Sequence, residues 1–177
     1  INQYSRLLII VAPKKEGNKN QYAENCRIIG DCLSEKLKDE SSALIIDIKG
    51  DQTVAMQIAE GMALANYTFT KHKTKAGGNK LKTIYLCKNA SKKHVAELQN
   101  IINAVYFTKN LINEPFSHLK AKNLAHEAKK SGEKHGFKTT VFNKKKIKSL
   151  KMGGLWAVNK GSIDEPTFTI MEWKPKN

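Results

Sequence analysis

The chain has 177 residues, 40 % of them hydrophobic, which is enough for one ordinary domain or two small ones and too apolar for global disorder. Its formal net charge of +15 rests almost wholly on lysine, since Arg6 and Arg27 are the only arginines. No run approaches the ~18 consecutive apolar residues of a membrane span, so no membrane partner is expected.

Cys26, Cys32 and Cys87 are odd in number and form no CxxC pair. That argues against a disulfide framework and fits a reducing, cytoplasmic setting. The charge is uneven, +5 over residues 1–90 and +10 over residues 91–177. A basic surface attracts nucleic acid through counterion release. Base readout and bidentate phosphate clamping favour arginine, however. The lysine excess therefore reads mainly as solvated surface, with nucleic acid as a weakly supported partner.

The chain begins at Ile1 rather than at a methionine, and its true start is expected upstream. Arg6 to Ala12 is a continuous apolar run ended by Pro13, the pattern of a strand buried on both faces. From Tyr22 to Leu37, Cys26, Ile29, Leu33 and Leu37 recur three and four apart and predict a helix. Ser42 to Ile48 reads as a second strand, closed by Gly50. Asp51 then reads as the cap of a helix striped by Val54, Ile58, Met62 and Ala65. Tyr67 to Asn79 is an irregular connection with Gly77-Gly78 as its turn. Leu81 to Cys87 is a third strand. Strands alternating with helices of this length predict βαβ units and a mostly parallel sheet.

Ser91 to Ile112 is the longest helical pattern, capped by Ser91 and stopped at Glu114-Pro115, because proline disfavours helical geometry in the residue before it. A second α/β pattern follows. Ser117 is its expected N-cap, Leu119 to Lys134 a helix closing at Gly136, Phe137 to Phe142 a strand, and Lys144 to Leu150 a short helix. Met152 to Ser162 reads as irregular and Thr167 to Trp173 as a strand. Two strands and two helices are marginal as an independent core, so the chain is expected to stop inside a domain.

Few residues carry a chemical signature. His126-Glu127 lacks the second histidine four residues on that a zinc-binding HExxH helix requires. His72, His94, His118, His126 and His135 match no metal spacing. Lys160-Gly161-Ser162 has the wrong order for a phosphate loop and runs into Asp164-Glu165, which would repel phosphate. Asp164 and Glu165 are adjacent, without the mark of an acid/base couple. Lys144-Lys145-Lys146 with Lys148 and Lys151 forms a basic cluster. The neighbouring Phe142 and Trp156 sit in strand- or core-like contexts that offer no evident stacking platform.

Asn110-Leu111-Ile112-Asn113-Glu114-Pro115 resembles the element that closes the connecting helix of cytosolic leucyl aminopeptidases. Leu119, Leu124 and Ala128 sit where that family has its next helix. Met152-Gly153-Gly154-Leu155-Trp156-Ala157-Val158-Asn159-Lys160-Gly161-Ser162 is similar to its Met-Gly-x-Leu-x-x-Val-x-x-Gly-Ser element, and Glu165-Pro166 and the last strand follow in family order. Upstream, Glu60-Gly61 through Tyr67-Thr68-Phe69 is similar to its Glu-Gly-x-x-Leu-x-x-Tyr-x-Phe stretch. The resemblance covers residues 50–173 well and the first 50 only by pattern.

The resemblance implies a macro-like α/β lobe over residues 1–90, a connecting helix over 91–113 and the start of an α/β catalytic domain over 114–177. It implies a cytoplasmic, hexameric enzyme that removes N-terminal residues from peptides. Two divalent metals, Zn or Mn, would polarise the scissile carbonyl and supply a bridging water as nucleophile. The family's two metal-ligand motifs, Gly-Lys-Gly-x-x-Phe-Asp-Ser/Thr-Gly-Gly and Asn-Thr-Asp-Ala-Glu-Gly-Arg, do not occur in these 177 residues. No catalytic residue, metal ligand, substrate contact or cofactor is therefore expected within the chain, which reads as silent scaffold. Some family members bind DNA. The alternatives are a basic nucleic-acid binder and a macro-like nucleotide binder, the second with only Gly77-Gly78 to offer as a phosphate loop.

Overall fold

The computed structural model describes residues 2–3, 6–48, 52–75, 77–87 and 90–175. It divides into two compact units, residues 1–110 and 111–177. The architecture is α/β.

In the first unit, β1 (Asn2–Gln3) pairs antiparallel with β2 (Arg6–Leu7). The long strand expected over Arg6 to Ala12 is confined to those first two residues, and Ile10 is 76 % exposed. An apolar run reports a demand for burial but not which sheet edge will meet it.

Helix α1 (Lys19–Lys36) starts where Asn18 caps it. Asn18 Oδ1 accepts from the backbone N–H of Asn20 and Gln21, and Gln21 Oε1 accepts from Asn18 N at 2.8 Å, so the first-turn donors are satisfied reciprocally. β3 (Ser42–Ile45) and β4 (Thr83–Leu86) form a parallel pair with Ala43 opposite Ile84. Bonds from Lys82 N to Ser41 O and from Cys87 N to Ile45 O, both 3.0 Å, carry the pairing past its ends. Between them lies α2 (Gln52–Ala65). Its expected cap, Asp51, and the strand-closing Gly50 lie outside the described residues.

The core of this unit forms where α1 and α2 cover one face of the pair. Cys26, Ile58, Met62 and Leu81 are its buried centre, with Ile29, Leu33, Ala43, Ile45 and Ile84 packed around them. The helices approach backbone to backbone. A Cβ on Gly61 would sit inside contact distance of the Arg27 carbonyl, and one on Gly30 would meet the Ile58 carbonyl. Only glycine permits that approach. Alternation along the strands turns Leu44 and Tyr85 to the outer face, where they are 60 % and 57 % exposed.

Helix α3 (Lys92–Asn113) runs as the periodicity predicts, one residue displaced at each end, and stops before Glu114-Pro115. Among its described side chains only Ile102 is fully buried.

In the second unit α4 (Ala121–His135) starts four residues after the expected cap. Ser117 lies instead in a turn closed by bonds from His118 N and Leu119 N to Pro115 O. Asn123 Oδ1 reaches back to Lys120 N at 3.2 Å and fixes the start there. The helix ends at Gly136, whose φ of 77° is the left-handed conformation that glycine adopts without strain. β5 (Lys138–Phe142) follows, then α5 (Lys144–Ser149), capped by Asn143 Oδ1 on Lys146 N at 3.0 Å.

Met152 to Ser162, expected to be irregular, contains the helix α6 (Gly153–Asn159). Its two glycines fall in the first turn, where backbone N–H groups lack helical partners anyway and glycine costs least. β6 (Phe168–Glu172) closes the unit, antiparallel to β5 with Phe142 opposite Phe168. Ala125 and Ile147 are among its buried apolar residues. No described helix of either unit is long and apolar enough to cross a membrane.

Candidate functional site

Within each unit taken by itself, the described histidines weighed in the sequence do not gather with other ligand side chains. His126 lies exposed on α4, and His94 and His135 are exposed on α3 and α4. Gly153-Gly154 opens α6, and Lys160-Gly161 forms the turn behind it. Taking each unit by itself, no three described His, Cys, Asp or Glu side chains bring ligand atoms within 4.8 Å of one another.

The second unit instead contains a charged clasp around Asp164-Glu165. Lys120 Nζ donates to Asp164 Oδ1 at 2.9 Å. Lys122 and Lys144 flank Glu165 at 2.7 and 3.7 Å. Asn159 Nδ2 donates to Asp164 O, Asp164 N to Ser162 Oγ, and Thr167 Oγ1 to Ala121 O. These bonds tie the loop after α6 to the starts of α4 and α5. The hydrogen bond from Lys122, then its charge, holds the Glu165 carboxyl below the usual carboxylate range.

The basic cluster enters the same assembly. Lys148 Nζ stands 4.0 Å and Lys144 Nζ 5.5 Å from the Trp156 ring centroid. Two lysines of the cluster thus serve internal contacts, which leaves fewer for an external phosphate chain. Sequence reasoning passed over the clasp because its partners are far apart in the chain. Lys120 and Asp164 are separated by 44 residues.

The first unit has two grooves along α3. One is lined by Arg27, Gln52, Met56, Glu60, His94 and Glu97. Arg27 Nε donates to Glu60 Oε2 at 2.8 Å, and this bond is the main reason the guanidinium pKa is raised. Gln52 Nε2 and His94 Nδ1 meet at 2.7 Å.

The other groove lies between α2, β4 and α3 and holds about 240 Å³. Tyr106 donates its hydroxyl hydrogen to Ala63 O beside it. Burial, and then the neighbouring Tyr67, raises the phenol's pKa. Tyr67 meets the Tyr106 ring edge-on at 5.0 Å between centroids and donates to Asn110 Oδ1 at 2.9 Å. Neither groove brings together a nucleophile with a base, and neither was visible in the sequence.

Comparison with known proteins supplies what the side chains alone do not. Residues 106–177 match the sequence profile of the cytosol aminopeptidase family, catalytic domain. The "Probable cytosol aminopeptidase" of Chloroherpeton thalassium is 57 % identical over 68 residues, which are 38 % of this chain and 13 % of that protein. The protein of the same name from Aquifex aeolicus is 33 % identical over 141 residues, 78 % of this chain and 29 % of that protein. The chain therefore spans less than a third of the length of these two relatives. In fold, it superposes on the bottromycin maturation enzyme BotP in complex with Mn with a TM-score of 0.74 at 19 % identity, covering 86 % of this chain and 34 % of that one.

Proposed function

Because this chain belongs to the cytosol aminopeptidase family, we propose that it is part of a metal-dependent aminopeptidase that removes N-terminal residues from peptides. The observation that carries the proposal is the profile match over residues 106–177, a stretch that takes in all of the second unit.

Within that enzyme, these 177 residues act as scaffold. Residues 1–90 would be the α/β lobe, residues 91–113 the connecting helix and residues 114–177 the opening of the catalytic domain. Among the described residues, neither unit by itself gathers three ligand atoms of His, Cys, Asp or Glu within 4.8 Å. We assign no metal ligand, catalytic residue or substrate contact to these 177 residues, because the family's two metal-ligand motifs do not occur in the sequence. We assign the two divalent ions, Zn or Mn, to other residues of the complete enzyme, where they would activate water and polarise the scissile carbonyl. The complete enzyme is cytoplasmic and hexameric in this reading, with peptides as its substrates.

The test is leucine release from leucyl amide with added Mn²⁺. The complete enzyme should be active and the 177-residue chain silent. Parent-like rates from the chain alone would overturn the scaffold role, and an inactive complete enzyme would overturn the peptidase.

A further inference from the structure

We draw no further inference here: the strongest candidate, the exposed apolar outer face of the β3–β4 pair around Leu44 and Tyr85, carries none, because nothing in the structure shows what covers it.

Discussion

The two units are held by different physics. The first depends on close approach. Two helices meet at Gly30 and Gly61, and the side chains of Cys26, Ile58, Met62 and Leu81 fill what remains. The second has few fully buried apolar side chains and secures its loops with ion pairs and side-chain-to-backbone bonds around Asp164 and Glu165. Packing of the first kind is insensitive to salt and pH but intolerant of one added methyl group. A clasp of the second kind accepts changes of shape and responds to its ionic surroundings.

The largest expected effect is on packing. Gly61→Ala places a methyl group against the Arg27 carbonyl. It should cost the first unit about 3 kcal/mol, after the ~1 kcal/mol that alanine returns in helix propensity. Urea unfolding followed at the Met62 methyl resonance measures it, and a loss under ~1 kcal/mol would mean that the helices can part freely.

Next is the clasp. Lys120→Met leaves Asp164, whose side chain is 27 % exposed, without its cation. The expected cost to the second unit is about 1–2 kcal/mol, between surface and buried ion-pair values. Trp156 and Trp173 both lie in this unit, so tryptophan fluorescence reports it selectively. The cost should shrink in 1 M salt, whereas that of Gly61→Ala should not. Equal salt response in both variants would erase the distinction between the units.

Tyr106→Phe removes a single hydrogen bond to Ala63 O, and about 1 kcal/mol is expected from the same urea experiment in the first unit.

The smallest effect concerns Glu165. Its carboxyl is held below the ordinary value in the fold, so its ionised form favours the native state. That contribution is complete above the unfolded pKa of ~4.3 and fades as pH falls through the lower folded value. A carbon-detected titration should place the Glu165 midpoint below that of a free glutamate. Lys122→Met should raise it, and an unmoved midpoint would remove Lys122 from the clasp.

Most helices of both units could be read from spacing alone, because apolar side chains three and four apart record which face is covered. The stripe through Cys26, Ile29 and Leu33 is the face that meets the core. The strand expected over Arg6 to Ala12 shows the limit of such reading, because six apolar residues behind Arg6 state that burial is favourable and say nothing of a partner. Helix α6 shows another limit. Met152 to Ser162 reads as irregular in the sequence, yet its two consecutive glycines occupy the first turn of a helix, where glycine is cheap. The clasp and the groove beside α3 were illegible for a simpler reason: each joins side chains that the sequence holds dozens of residues apart. Lys120 with Asp164 and Tyr106 with Ala63 become neighbours only after the chain has folded.

The parallel pairing of β3 with β4 also sets the order in which the first unit can be made. A parallel partner cannot be supplied by a tight hairpin, so β3 has to wait through all of α2 and the connection behind it. On a ribosome, α1 and α2 emerge first and can join at their glycines as a local hairpin of helices. Ile58 and Met62 then stay open to water until Leu81 and Ile84 leave the exit tunnel. During that interval the nascent chain carries an unfinished apolar face, and it is the stage at which a chaperone would have something to hold.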